Sequence, residues 1–408
     1  MLTNEEKKVA AYEAEAEPTV ASRVTPDTPL HSLNLNWREE DLPEKERTKH
    51  VHRLHPYLGK FIPQLVEVFM RKFFEPGQTV LDPFCGSCST LVQANELGID
   101  SVGYDVSAFN VLLGRAKTMK YDLSRVRKEV LDVLEKTRTI TQREHRQLGL
   151  WRSSPTAKHL DKESEEYLKE WFAPQALNEL LTYRDLIESG GYEYQDLLKV
   201  ILSRSARSAR MTTHFDLDFP KRPQTESYWC YKHSRKCSPT TGAFKFLERY
   251  SVDSLRRIEQ FAEVRTNANV TISQADSRNE PLPVIHGVIT SPPYVGLIDY
   301  HEQHAYAYHL LGLEDRRQLE IGPASNGSSQ KAKATYQDDI ALVFRRVAEA
   351  MDPGGRIIVV AGDRSNLYGE IARQAEVDVE TVLQRHVNRR TGRRSGEFYE
   401  SIFIWRKR

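Results

Sequence analysis

The chain has 408 residues, 39% hydrophobic and 28% charged, with a net charge of +1. It holds no apolar run near the roughly 18 residues of a membrane span, and its first residues lack a signal peptide's apolar core. These numbers exclude a membrane-spanning protein and point to a cytoplasmic, globular chain: one large domain with an insertion, or two domains.

In chain order, residues 1–30 are Glu/Ala-rich and then Pro/Thr-rich, with no periodic apolar face. We read 1–45 as a flexible arm. The run His55-Pro-Tyr57-Leu-Gly-Lys60-Phe61-Ile-Pro63 follows, and Pro63 opens a helix striped by Leu65, Val66, Phe69 and Met70. Thr79-Val80-Leu81 predicts a short buried strand, then a loop from Asp82, then a helix stopped by Gly98. Ser101–Asp105 predicts a second strand, followed by a helix through Asn110–Leu113. Strand–helix–strand–helix order implies a parallel sheet with helices on its faces.

That rhythm stops between 121 and 268. The block is charged and largely helical, with one stripe at Val126, Val130, Val133 and Leu134, another at Leu177, Leu180, Leu181 and Ile187, and a third starting at Leu197. The stretch 211–243 reads instead as an ordered loop region: aromatic, basic and Pro-containing, with Phe215, Phe219, Tyr228, Trp229 and Tyr231. Alternation returns at Val270–Ile272 and Val288–Thr290. A helix over 336–351 then ends at Asp352-Pro353-Gly354-Gly355, Arg356–Val360 is a buried strand, and Glu380–Gln384 with Glu400–Trp405 form a closing antiparallel pair.

Charge is unevenly spread. Residues 1–50 carry eleven acids and seven bases, 201–260 carry twelve bases and six acids, and 381–408 carry eight bases and two acids. Clustered bases suit a polyanion. Arg235 and Lys236 in the first basic cluster, and Arg389, Arg390 and Arg393 in the second, are the candidate phosphate contacts.

Four cysteines are too few for a disulfide framework in a chain this long. Cys85 and Cys88 have redox-motif spacing, but they lie in a loop with another reading. Cys230, His233 and Cys237 have loosely metal-like spacing without an evident fourth ligand. His301, His304 and His309 fit no specific metal motif and read as target-pocket or surface residues. No metal is expected.

Two loops carry the chemistry. In Asp82-Pro83-Phe84-Cys85-Gly86-Ser87-Cys88-Ser89-Thr90 a strand turns sharply into a helix, exposing backbone N–H groups, and Gly86 allows close approach of a ligand. Asp82, Asp105 and Asp276 each end or follow a predicted strand, where acids bind polar cofactor groups. In Ser291-Pro292-Pro293-Tyr294 a hydroxyl and a carbonyl can accept hydrogens from an exocyclic amine, two prolines stiffen the loop, and a ring can stack on a flat base.

Together these loops resemble the amino-group DNA methyltransferases, over roughly 50–120 and 268–408. The cofactor pattern of that family is Asp-Pro-Phe-x-Gly-Ser-Gly-Ser/Thr, and Cys88 stands where its second Gly is usual, which bears on how closely the backbone approaches the cofactor. The catalytic pattern Asp/Asn/Ser-Pro-Pro-Tyr/Phe is matched without departure. Ser at its first position is found mostly in cytosine-N4 enzymes, Asp or Asn mostly in adenine-N6 enzymes.

The resemblance implies a Rossmann-like class I α/β sheet with an antiparallel terminal hairpin and a helical insertion. The catalytic domain is 46–120 and 269–408, and 121–268 is a basic target-recognition insertion. It implies S-adenosylmethionine as cofactor, held by Tyr57, Lys60, Phe61, Asp82, Pro83, Phe84, Gly86, Asp105 and Asp276. Catalysis falls to Ser291, Pro292, Pro293 and Tyr294 on a base flipped from double-stranded DNA, with a restriction endonuclease as companion. The rival readings are an adenine-N6 enzyme, an RNA methyltransferase and a catalytically silent DNA-binding relative.

Overall fold

The computed structural model describes residues 17–148, 160–214, 216–217, 220–387 and 398–408. Five parallel strands and a terminal antiparallel pair make one seven-stranded sheet, ordered β5-β2-β1-β6-β7-β9-β8. These are β1 Thr79–Asp82, β2 Asp100–Asp105, β5 Val270–Gln274, β6 Ile285–Thr290, β7 Met351–Ala361, β8 Val377–His386 and β9 Tyr399–Lys407. β9 runs antiparallel between β7 and β8, so the chain closes on a hairpin, as its sequence implies. A separate two-stranded ribbon joins β3 Tyr228–Cys230 to β4 Arg235–Cys237.

The strand period of two sorts the sheet's side chains between two cores. Val288, Ile357, Val359, Phe403 and Trp405 pack on one face, beneath helices Gln330–Glu349 and Tyr368–Gln374. Ile289, Ile358, Val360, Ile402 and Ile404 pack on the other, against α1 Pro63–Phe73. Pro63 occupies the first turn of α1, where its missing N–H costs nothing. The strand expected to begin at Arg356 starts at Met351, because Met351 already pairs with Ile285 across a register shift. Asp352-Pro353-Gly354-Gly355 therefore lies within β7.

The stretch read as a flexible arm extends to residue 45, and 1–16 lie outside the described residues. From 17 onward it packs on the sheet domain: Ala21, Val24 and Leu35 are buried with α1, and Trp37 Nε1 donates to Thr19 O at 2.9 Å.

α2 Ser89–Glu96 and α3 Ala108–Thr118 follow β1 and β2. Between α3 and β5 stand α4 Leu123–Leu148, α5 Lys162–Trp171, α6 Pro174–Ser189, α7 Gln195–Ala209 and α8 Phe244–Ala262. Their apolar stripes, including Val126, Val130, Leu180, Leu181 and Leu197, share a core with Phe109 and Leu113 of α3. No helix among the described residues is long and apolar enough to cross a membrane.

The basic count over 201–260 is split by this packing. Arg204 and Arg257 are buried on Asp253 at 2.7 and 2.8 Å, and the two guanidiniums hold that carboxyl well below its usual range despite burial. Arg210 is buried, donates to Leu217 O at 2.7 Å and lies over the Tyr306 ring. These three bases stabilise the insertion. Lys221, Arg222, Lys232, Arg235, Lys236, Lys245 and Arg249 are exposed.

Candidate active site

The chain leaves β1 toward β2 and β5 on one side and reaches β6 and β7 on the other, so the sheet order reverses between β1 and β6. Open α/β sheets bind ligands outside the carboxyl ends of the strands at such a point. A cleft partly open to solvent lies there. Its wall includes Tyr57, Lys60 and Phe61 before α1, Pro83, Phe84 and Gly86 after β1, and Asp105 at the end of β2. Asp276 after β5, and Ser291 and Pro293 after β6, complete it. Five segments far apart in sequence thus meet at one end of the sheet.

Gly86 has φ +46°, and a Cβ on it would stand 3.1 Å from the Tyr57 hydroxyl. Its N–H donates to Asp105 Oδ2 at 2.8 Å, while Ser107 N–H donates to Asp105 Oδ1 at 2.9 Å. Asp105 therefore holds the first loop as well as facing the cleft. Burial raises its carboxyl above the usual range, against the pull of these N–H groups.

Asp82 is 1% exposed and is not part of the cleft wall. Its Oδ1 accepts from Thr290 Oγ1 at 2.6 Å and from Phe84 N–H at 3.2 Å, tying the end of β1 to the end of β6. Its buried Oδ2 has no protein partner. Desolvation raises this carboxyl to about 6, opposed by the Thr290 and Thr90 hydroxyls.

Asp276 is engaged by Arg278, whose Nη2 lies 2.8 Å from Oδ2, and Arg278 also reaches Asp339 at 3.1 Å. Lys60 Nζ donates to His52 O at 2.7 Å, and burial lowers its ammonium to about 7.

Cys88, the departure in the loop, takes the left-handed conformation, φ 60° and ψ 36°. It is fully buried and does not line the cleft. Its sulfur lies 3.6 Å from Cys85 Sγ, so the expected consequence for cofactor approach falls beneath the loop.

Of Ser291–Tyr294, Ser291 and Pro293 line the cleft and Pro292 and Tyr294 do not. The loop is held at two points: Tyr336 donates to Pro293 O at 2.9 Å, and the Tyr294 hydroxyl donates to Glu400 Oε1 at 3.1 Å. Tyr294 lies beside Phe398, ring centroids 6.5 Å apart.

His301 and His304, expected in a target pocket or on the surface, are each 1% exposed. His301 Nδ1 pairs closely with Glu320, and His304 stacks on Phe109 at 4.4 Å. His309 bonds Ser164 at 3.0 Å. Arg235 and Lys236 are exposed on the ribbon, outside the cleft wall. Arg389, Arg390 and Arg393, like Phe215 and Phe219, lie outside the described residues.

Sequence reasoning missed Ser107, Asn110, Tyr300 and Glu320 of the cleft wall, and Thr290 behind it. Thr290 was findable, because it directly precedes Ser291-Pro292-Pro293-Tyr294 at the end of a predicted strand. The other four carry no local signal.

A parallel sheet ending in this cleft, with a glycine loop and a Ser-Pro-Pro-Tyr loop side by side, defines a methyltransferase of the Rossmann-like class. The model of the DNA methylase family matches residues 3–113. The sequence is 36% identical to the Type II methyltransferase M.MjaII of Methanocaldococcus jannaschii, over 89% of this chain and 81% of that protein. It is 22% identical to the Type II methyltransferase M.BsoBI of Geobacillus stearothermophilus, over 74% of this chain and 62% of that protein. Among solved structures, the rRNA methyltransferase aviRa from Streptomyces viridochromogenes covers 86% of this chain, and 88% of its own chain is covered. At a TM-score of 0.31 and 13% identity that likeness carries no weight in the assignment. The chain belongs to the Type II methyltransferases of the DNA methylase family.

The cofactor of this family is S-adenosylmethionine, and the cleft fits it. The glycine cradle of Gly86 admits a ligand where a side chain would meet Tyr57. Asn110 Oδ1, buried in the wall, has no protein partner and awaits a donor. The wall carries both aromatic rings and carboxylates, which a ligand with a flat base, hydroxyls and an ammonium requires.

Proposed function

We propose that the enzyme methylates the N4 amino group of cytosine at a specific sequence in double-stranded DNA. The observation that carries this reading is Ser291 in the cleft wall, on a loop fastened by Tyr336 and Glu400. S-adenosylmethionine supplies an electrophilic methyl on a sulfonium. The residues of the chain do the rest by orientation.

A cytosine amine is a poor nucleophile because its lone pair is delocalised into the ring. Ser291 Oγ in the wall and the carbonyl of Pro292 beside it would accept its two N–H bonds, localise the lone pair and aim it at the methyl; the N–C bond forms as the C–S bond breaks, and one N–H proton is released to solvent. Orientation of this kind lowers the barrier without a metal or a covalent intermediate. The base must leave the duplex to reach the cleft, and Tyr294, with Phe398 beside it, offers a stacking surface. When bound, S-adenosylmethionine would be held by Asp105 at its ribose and by Asp276 at its adenine amine, while Asp82, behind the wall, would reach its methionine ammonium only through water.

The exposed bases of the insertion, Arg235 and Lys236 among them, contact phosphate while the insertion reads sequence, and the Arg-rich segment at 389–393 adds a second contact. Residues 46–120 and 269–408 form the catalytic part and 121–268 the recognition part. A companion endonuclease cutting the same sequence is the expected partner.

The test is incubation with labelled S-adenosylmethionine and mixed-sequence duplex DNA, then digestion and mass spectrometry of the nucleosides. N4-methylcytosine is expected. N6-methyladenine would overturn the base assignment while keeping the site. An unmethylated duplex with methylated RNA would overturn the substrate.

A further inference from the structure

We propose that His214, Cys230, His233 and Cys237 bind one zinc ion, which builds the β3–β4 ribbon. Sequence spacing supplies only three of these ligands. The fold supplies the fourth, His214, from sixteen positions upstream of Cys230. One ligand atom from each residue lies within 4.8 Å of every other.

The distances fit a tetrahedron. His214 Nδ1 lies 3.6 Å from Cys230 Sγ, and His233 Nδ1 lies 3.6 Å from Cys230 Sγ and 3.6 Å from Cys237 Sγ. With Zn–S of about 2.3 Å and Zn–N of about 2.0–2.1 Å, the sulfur–nitrogen edge of a tetrahedral site is about 3.6 Å. Tyr228 already fixes His214: its hydroxyl accepts from the His214 backbone N–H at 2.9 Å and reaches Nδ1 at 2.8 Å. A metal takes over that lone pair.

Among the described residues little else holds the ribbon beyond the Tyr228–His214 contact and a bond between Ser227 Oγ and Ser238 Oγ at 3.0 Å. Two strands of three residues do not stand alone in water. Among the described residues of 213–242, Cys230 and Cys237 are the only buried side chains. In the pairing register Tyr228 opposes Cys237 and Cys230 opposes Arg235, so both thiols fall on one face of the ribbon. They are free thiols, and their neighbours are imidazoles. Two thiolates and two neutral imidazoles neutralise Zn²⁺, and the binding free energy becomes folding free energy for a segment without an apolar core.

The opposite face pairs Trp229 with Lys236, and Trp229 is 57% exposed. An exposed indole backed by a rigid metal knot, beside Arg235 and Lys236, suits contact with a nucleic acid. That consequence rests on the DNA reading proposed above; the metal site stands without it.

The full chain, expressed with zinc in the medium and freed of loose metal by gel filtration, should carry one zinc. After chelation, titration with Co²⁺ should give one equivalent of a tetrahedral species, with sulfur-to-cobalt charge transfer and visible d–d bands, displaced by Zn²⁺. The double variant C230S/C237S should lose the metal and weaken duplex binding while keeping S-adenosylmethionine affinity. The cobalt spectrum of the unaltered chain decides the matter even if that variant fails to fold. A metal-free chain without the cobalt bands overturns the proposal, and so do bands that vanish in C85S/C88S and persist in C230S/C237S. Zinc lost with duplex binding intact supports the metal site and overturns its role toward DNA.

Discussion

The sulfur of Cys88 occupies the space that a side chain on Gly114 would need. A Cβ on Gly114 would stand 2.3 Å from Cys88 Sγ and 2.8 Å from Ile272 Cδ1. Cys88 carries the left-handed strain that a glycine would avoid, about 1–2 kcal/mol. Gly114 in turn sits inside α3, where glycine costs about 1 kcal/mol against alanine. Each residue breaks a local preference, and the Cys88 sulfur is what keeps position 114 without a side chain.

Gly114→Ala should therefore destabilise the fold by about 1–3 kcal/mol, since it overpacks a filled site. Cys88→Gly added to it should recover most of that loss. Urea denaturation of the two single variants and the double variant measures the coupling. Losses that simply add would show that the contact between Cys88 and Gly114 does not matter.

The two loops of the site were legible because each follows a short apolar strand and each depends on residue types with few substitutes. The division of the basic block was not. Nothing local separates Arg204 and Arg257, which bury against Asp253, from Arg235 and Lys236, which face solvent. That difference arises when α7 packs on α8. For the same reason nothing local shows that the chain already pairs at Met351, with Ile285 of β6, before Asp352-Pro353-Gly354-Gly355 bulges out unpaired and the ladder resumes at Arg356. His214 is silent as a ligand until the ribbon folds back on it. Long-range packing supplied each of these outcomes.

Ser291→Ala should leave S-adenosylmethionine affinity unchanged and lower single-turnover methylation by about 10²–10³-fold, the usual cost of one positioned hydrogen-bonding group in a transition state. Isothermal titration and rapid-quench assays separate the two effects. Near-normal turnover would remove Ser291 from the mechanism.

Asp82 makes stability depend on pH in a definite direction. Its carboxyl is raised to about 6 in the fold by burial. Between pH 4 and 6 the folded state holds this proton and the unfolded state does not. The fold therefore loses stability as pH rises through that window, by roughly 3 kcal/mol in all. Asp82→Asn carries no such charge and can still accept from Thr290. Its stability relative to the unaltered protein should improve from pH 4 to 7 and stay flat above. Denaturation midpoints at several pH values check this, and a constant difference would mean that Asp82 is ionised in the fold at acid pH.

The exposed bases of the ribbon should act through phosphate. Arg235→Gln and Lys236→Gln remove charge from side chains that no described contact uses for folding, unlike Arg204 or Arg257. Each substitution should weaken duplex binding similarly across sequences. Each should also reduce the slope of log affinity against log salt by about 0.9, the counterion release of one phosphate contact. Cofactor affinity should not change, because neither residue lines the cleft. Fluorescence anisotropy at a series of salt concentrations gives the slope. A slope unchanged in both variants would place the phosphate-binding face elsewhere on the insertion, with Lys221, Arg222, Lys245 and Arg249 next to be replaced.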